Sequence, residues 1–327
     1  MNFNLKKIAD LAGVSVSTVS KAFSGSEEIS EKTRQRIFNV AKEQGIFDKY
    51  NKNKFSKRVI AVICPEIISN YYSMLVSILN REIEARGCIM VLSISNFDGG
   101  SIKELFSYYT SYCNADGIIV ISAKDQLKNP TRVPAVLLSS KERIEGFDSI
   151  SMDFEVAIDK AVDYLKELGH TKIGFAGEQL TLSKQTVFEK AMRKAVLPLH
   201  KNWLKVSNKR FEDAGAEIAR EWLTDGDLPT AILVAYDYIA IGLIRTLKEN
   251  GIRVPDDVSV IGMDDISIAP YLETPLSSIR SYHDEACQQA VELIMKKLDN
   301  PYYTANEVVK IDTEFIPRSS SGPVPSQ

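Results

Sequence analysis

Cysteine and histidine are scarce in this chain, four and three among 327 residues. Cys64, Cys88, Cys113 and Cys287 lie far apart with no Cys-x-x-Cys pair, and His170, His200 and His283 are equally scattered. A zinc site needs ligands at short fixed spacing and a disulfide framework needs partners, so buried free thiols are expected, with no metal and no cofactor. No run of about 18 apolar residues occurs, which excludes a membrane-spanning helix. Met1 to Lys7 lacks the apolar centre of a secretory signal, so a cytoplasmic protein is expected. A Gly-rich phosphate loop, a nucleophile elbow and zinc-ligand spacing are all missing, and no enzyme is expected.

What is present is an ordinary globular composition, 44% apolar and 25% charged, in a chain long enough for two or three domains. Charge is divided unevenly. Residues 1 to 58 hold twelve Lys and Arg against six Asp and Glu, whereas residues 59 to 327 hold 28 against 37. A basic head on an acidic body confines polyanion attraction to one end.

Within that head, Leu5, Ile8, Ala9 and Ala12 recur at helical spacing and Gly13 offers the left-handed stop. Ser15 can cap a second helix that turns Val19, Ala22 and Phe23 inward and Val16, Ser17, Thr18, Ser20 and Lys21 outward. A third helix runs from the cap Ser30 through Ile37, Phe38, Val40 and Ala41 to Gly45. Two short helices joined at a glycine can be a bare helical hairpin. A small, polar, basic outward face, in a segment of opposite charge to the body, favours a helix-turn-helix that enters the major groove.

From Val59 onward, β-branched runs alternate with helical segments, the pattern of parallel sheets covered on both faces. Strands are predicted at 59–63, 89–94, 117–121, 135–138, 173–176, 231–235 and 258–262. Helices are predicted at 72–86, 103–112, 156–168, 186–195, 214–223, 239–250 and 285–298. Two such sets in tandem imply two lobes, with ligands gathering in the cleft at the carboxyl ends of the strands.

Ala12-Gly13-Val14-Ser15, Thr18-Val19-Ser20 and Ser30-Glu31-Lys32-Thr33-Arg34 resemble the headpiece of the LacI/GalR transcription regulators. In the body, Glu167-Leu168-Gly169-His170, Pro229-Thr230-Ala231-Ile232, the run from Val254 to Asp265, and Pro275-Leu276-Ser277-Ser278-Ile279 resemble blocks of that family's core in the same order. The resemblance covers nearly the whole chain. It implies a helix-turn-helix headpiece (1–47), a hinge or linker (48–58) and a two-lobed periplasmic-binding-protein-like α/β core (59–327). The near lobe would comprise about 59–150 with 281–311, and the far lobe 151–280 with 312–327.

By the same resemblance Val16, Ser17 and Lys21 take the base-reading positions. Lys21 stands where arginine is common and lacks its planar fork. Asn4, Ser15, Thr18, Ser20, Ser24, Ser30 and Thr33 would contact phosphates, as short donors at helix ends can. The linker departs from the family's Pro-Asn start and Leu-Ala hinge helix. Phe55 falls at the wedge position, and the alternative is a flexible Asn- and Lys-rich tether.

Effector candidates are Tyr71 and Tyr72, whose rings can stack on a sugar or base, and Asp264, which aligns with a hydroxyl-accepting carboxylate. Lys184 stands for the family's clamping arginine and Tyr236 for a frequent asparagine. Asp237 is either a ligand contact or an N-cap, and Ser122, Ser139 and Phe211 are loop candidates for the same cleft. Each tyrosine could equally be core packing with a wet hydroxyl. The expectation is a homodimeric, sequence-specific regulator on a pseudo-palindromic double-stranded DNA operator, controlled by a sugar or nucleoside. Arg318 to Gln327 has no leucine heptads for a tetramer. The alternative function is a small-molecule sensor without specific DNA binding.

Overall fold

The computed structural model describes residues 3–24, 26, 28–47, 57–113, 115–122, 127–130, 133–139, 144–300 and 302–325. Three helices form the head: α1 (Phe3–Ala12), α2 (Val16–Ser24) and α3 (Glu31–Glu43). Gly13 takes φ +61°, the left-handed value that ends α1 without a Cβ penalty. The Thr18 amide donates to Ser15 Oγ across 3.0 Å, so Ser15 caps α2. Ser30 caps α3 in the same way through the Thr33 amide. Ile8, Val19, Ala22, Ile37 and Ala41 are fully buried between the three helices. Phe38 closes that small core, its ring 5.2 Å from Phe23 and 5.1 Å from Phe47.

The body begins with β1 (Val59–Cys64), α4 (Asn70–Ala85), β2 (Ile89–Ile94), α5 (Gly99–Ser111), β3 (Gly117–Ile121), β4 (Ala135–Leu138) and β5 (Asp148–Asp153). It continues through α6 (Glu155–Glu167), β6 (Ile173–Glu178), α7 (Leu182–Lys194), β7 (Leu204–Ser207), α8 (Phe211–Asp225), β8 (Ala231–Val234), α9 (Asp237–Glu249) and β9 (Ser259–Asp264). Then β10 (Ser277–Ser281), α10 (His283–Asp299) and β11 (Val308–Ile316) complete it. The strand order is β2-β1-β3-β4-β5-β11-β10-β9-β8-β6-β7. Neighbours are parallel except β10 and β11, which run antiparallel. The two-lobed α/β core is therefore present, with one antiparallel pair at its seam.

That seam is a single strand. Val308 to Asp312 pair with β5, and Thr313 to Ile316 pair with β10. Separate apolar cores lie on either side: one around Ile60, Leu79, Ile119 and Ile294, one around Ile118, Phe106 and Leu137 on the opposite face, and one around Phe175, Phe188, Trp222 and Leu243 in the far lobe. Side chains such as these contribute on the order of 1.5–3 kcal/mol each by leaving water.

Four strands depart from the sequence reading, which left 148–153, 204–207, 277–281 and 308–316 without structure. The polar residues of one of them, β10, are matched by polar partners in the tail. In β10, Ser277 and Ser278 are fully buried, and Ser277 bonds the tail through the Ser320 hydroxyl and the Arg318 carbonyl. Several helices also begin earlier than their apolar periodicity suggests. Asp98, for example, caps α5 through the Ser101 amide at 2.7 Å, so that helix starts at Gly99 rather than Lys103. All four cysteines are free, but Cys113 is exposed, contrary to the expectation of burial for all four. Among the described residues no helix is long and apolar enough to cross a membrane, and no cluster of potential metal ligands occurs.

Candidate nucleic-acid interface and ligand cleft

On α2, Ser17, Ser20 and Lys21 are exposed and Val16 is 39% accessible, while Val19, Ala22 and Phe23 are buried on the opposite side. The Ser15 hydroxyl lies 2.7 Å from those of Ser17 and Thr18, which makes a small polar cluster at the helix N-terminus. Ser30 and Thr33 form a similar pair, 2.9 Å apart, where α3 begins. Hydroxyl clusters at two helix starts, where the dipoles are positive, suit phosphate oxygens. Ser24 closes the other end of α2 by donating to the Lys21 carbonyl at 3.1 Å. Lys21 is ion-paired with Glu28. Asn4 lies in α1, but its side chain, like the whole of Phe55, is outside the described residues.

A cleft of about 780 Å³ opens where strand ends of the two lobes meet. Tyr71 and Tyr72 from the start of α4, Phe211 from the start of α8, and Tyr236 and Tyr238 at the start of α9 supply aromatic walls. Asp264 ends β9 and Asp265 follows it, Arg280 and Ser281 end β10, and His283 begins α10, all at the same cleft. Phe97, Ser122, Ser139, Phe211, Asp264 and Asp265 all have positive φ. A side chain held in such backbone costs on the order of 1 kcal/mol, and such positions gather at functional sites.

The sequence candidates divide by depth. Tyr71, Tyr72, Phe211, Tyr236 and Asp264 line the cleft, whereas Ser122 and Ser139 are not among the lining residues. Ser139 lies 3.0 Å from the Tyr71 hydroxyl, and Ser122 accepts from the Tyr72 hydroxyl at 3.2 Å, so both hold the walls in place. Lys184 also lies beneath the surface. Its Nζ donates to the Ala235 carbonyl at 2.8 Å, sits 4.6 Å from the rings of Phe154 and Tyr236, and stands 3.6 Å from Asp264. Burial draws its pKa below the ordinary lysine value, against the opposing pull of Asp264.

Asp237 has a different setting from either alternative read in the sequence. It is the first residue of α9, preceded by the N-cap Tyr236, and is fully buried away from the lining. Its carboxyl oxygens accept from the Ser278 hydroxyl at 2.6 Å and the Ile266 amide at 2.8 Å. Those bonds pin the turn that follows Asp264.

Several groups of the cleft escaped the sequence reading. Arg210 stacks 4.4 Å from Phe211 and 5.1 Å from Phe97, and faces Glu178 at 3.4 Å and Glu66 at 3.9 Å. It thereby ties the far lobe to the near one. Burial raises the pKa of Glu178. For Glu66, burial also acts upward, but hydrogen bonds from Ser69 and Ile68 and the charge of Arg210 hold it below the carboxylate range. Asn70 donates to the Tyr238 hydroxyl at 2.6 Å, a second bond across the cleft. The adjacent Arg210-Phe211 pair was the one signal available beforehand. Nothing local marks His283 or Asn70.

Residues 4–45 match the model for bacterial regulatory proteins of the lacI family, and residues 162–321 match a periplasmic binding protein-like domain. The HTH-type transcriptional repressor PurR of Vibrio parahaemolyticus is 26% identical over 332 residues, covering 97% of this chain and 98% of the relative. The chain belongs to the LacI family. This LacI-family chain is thus a DNA-binding transcription regulator. Two solved structures share its fold. The lac repressor dimer bound to operator and an anti-inducer superposes with a TM-score of 0.74 at 22% identity, covering 96% of this chain and 98% of the other. The complex of the regulator CelR with cellobiose gives 0.71 at 23% identity, covering 97% and 99%.

Proposed function

We propose that this LacI-family chain is a cytoplasmic repressor that binds a pseudo-palindromic operator as a homodimer and is controlled by a sugar or nucleoside in the interlobe cleft. The observation that carries the reading is the union, in one chain, of an exposed hydroxyl-studded helix start and an aromatic-walled cleft ending in Asp264. Val16, Ser17 and Lys21 read base edges; Asn4, Ser15, Thr18, Ser20, Ser24, Ser30 and Thr33 meet phosphates; Phe55 is the minor-groove wedge. Tyr71, Tyr72, Phe211 and Tyr236 stack on the ligand, and Asp264 accepts its hydroxyls. Ser122, Ser139, Lys184 and Asp237 act from behind those side chains.

Support comes from what similar proteins are named for: a repressor, a dimer on operator, a cellobiose complex. A headpiece of this size buries too little surface for tight specific binding, so two act together with half-sites about one helical turn apart. Ligand held by both lobes changes their relative rotation and with it the headpiece spacing.

Selection of full-length protein on random duplex DNA tests the first half. A shared symmetric motif with salt-dependent affinity is expected, and no motif would leave the sensor function standing instead. For the second half, Asp264→Ala is expected to weaken sugar or nucleoside response about 10- to 100-fold, the loss of a charged hydrogen bond. An unchanged response would move the effector elsewhere.

A further inference from the structure

Both ring nitrogens of His283, a residue lining the cleft, are left unused by the rest of the structure. Its ring is 7% exposed, both nitrogens are buried without a hydrogen-bond partner, and it borders the cleft at the first position of α10. Tyr71 packs edge-on against it, centroid to centroid 5.4 Å. An orphaned buried polar group costs on the order of 1–3 kcal/mol, so a protein keeps one where something else satisfies it.

The charges around the cleft narrow what that something is. Arg210 faces Glu178 and Glu66, Arg280 faces Asp265 at 2.8 Å, and Lys184 faces Asp264 at 3.6 Å. Among the described lining residues two arginines stand against three aspartates, 264, 265 and 284. A phosphate or carboxylate ligand would have to break an existing ion pair and then sit beside a surplus of negative charge. An uncharged hydroxyl pays neither penalty.

We infer, on the reading that the cleft holds the effector, that His283 is a ligand-contacting, specificity-determining residue that together with Asp264 grips neighbouring hydroxyls of an uncharged polyhydroxylated molecule. Neutral imidazole offers one donor and one acceptor, and a hydroxyl offers both in return. Asp264 accepts only, and its bonds to Lys184 and Ser281, 3.6 and 3.4 Å, are long enough to leave a lone pair for the next hydroxyl. Burial keeps the imidazole neutral, its pKa lowered by desolvation. The groups facing it are Asp264 from β9, Lys184 from α7, Asp284 beside it on α10 and Tyr71 from α4. Entry requires the Tyr71 ring to swing, and its hydroxyl is tethered to Ser139 at 3.0 Å.

Calorimetric titration of the full chain with D-ribose, D-glucose, cellobiose and adenosine, and with glucose 6-phosphate and gluconate as charged counterparts, tests this. A neutral compound is expected to bind at least ~10-fold tighter than its charged counterpart. His283→Leu is expected to lose ~10-fold or more, and His283→Gln, which keeps a donor and an acceptor, to recover most of it. Wild-type affinity falls once pH drops far enough below the ordinary imidazole value to protonate this buried ring, because protonation removes the acceptor, and the glutamine variant lacks that fall. Because His283→Leu removes an unpaired buried group, its unfolding midpoint is expected to match or exceed the wild type; should it fail to fold, the wild-type pH profile decides. Preference for the charged compounds, or full affinity in His283→Leu with loss in Asp264→Ala, overturns the role of His283 and leaves the cleft as effector site. No binding by any compound, or binding indifferent to both substitutions, overturns both.

Discussion

Replacing Asp237 with asparagine is expected to flatten the dependence of stability on pH. Burial, with repulsion from Asp264 and Asp265, pushes this carboxyl from its ordinary 3.8 up to about 8, and the bonds from Ser278 and Ile266 only partly offset that. Below pH 4 the folded and unfolded chains are both protonated here, and the group is neutral to stability. Between 4 and 8 the unfolded chain releases the proton while the folded chain holds it, so unfolding gains and stability falls as pH rises. Above about 8 both are ionised and the loss levels off. At 1.36 kcal/mol per unit the loss approaches about 6 kcal/mol in full, and about 3 kcal/mol of it falls between pH 5.5 and 8.5. An asparagine can turn its carbonyl to the Ile266 amide and its NH₂ to the Ser278 hydroxyl, so the packing is kept without the titration. Urea denaturation of both proteins at pH 5.5, 7 and 8.5 isolates this group, since every other titrating residue is shared. Curves that stay parallel within about 0.5 kcal/mol would mean that Asp237 ionises freely in the folded state.

Helices α8 and α9 touch backbone to backbone, because a Cβ on Gly242 would stand 2.0 Å from the Glu212 carbonyl oxygen and one on Gly215 1.9 Å from that of Ile239. Gly242→Ala is therefore expected to cost roughly 3 kcal/mol or more by chemical denaturation, and a change under ~0.5 would show the helices free to part. Ser320 is fully buried, donates to the Val260 carbonyl at 2.6 Å and accepts from the Ser277 amide at 2.8 Å. Ser320→Ala orphans both and is expected to lose about 2–4 kcal/mol; a loss below ~1 would assign those bonds to water. Glu28 occupies the ammonium of Lys21 and adds a negative charge beside the groove-facing helix. Glu28→Gln is expected to tighten DNA binding about 2- to 10-fold at low salt in a fluorescence titration, with weaker binding as the contrary outcome.

The parts legible beforehand were those where one periodic signal decides the structure. Gly13 with Ser15 fixed the turn between α1 and α2, and the apolar runs of β1, β3 and β8 are buried on both faces as their composition implies. Serine-rich β10 and the alternating β11 carried no such signal, because their stability lies in hydrogen bonds to a tail some forty residues away and in pairing across the seam. At the cleft, the aromatic residues and Asp264 could be named from motif position. Arg210 and His283 could not. Their roles come from neighbours distant in sequence, Glu66 and Phe97 for the arginine and Tyr71 for the histidine. Motif position also does not reveal depth, which separates Tyr71 from its support Ser139 and removes Asp237 to the interior.

The shared strand β11 has a consequence for how the chain is made. Helix α10 packs on α4, and Val308 to Asp312 complete the sheet beside β5, so the first lobe to begin synthesis stays open until the chain is nearly finished. Until the ribosome has released residues past 312, the apolar side of α4 and the edge of β5 stay bare, while α6 to β9 of the other lobe have already emerged. The half-built N-terminal sheet must therefore wait, sticky and incomplete, through the translation of its neighbour, and a stop codon anywhere before β11 would leave it a client for chaperones or proteases rather than a smaller working protein.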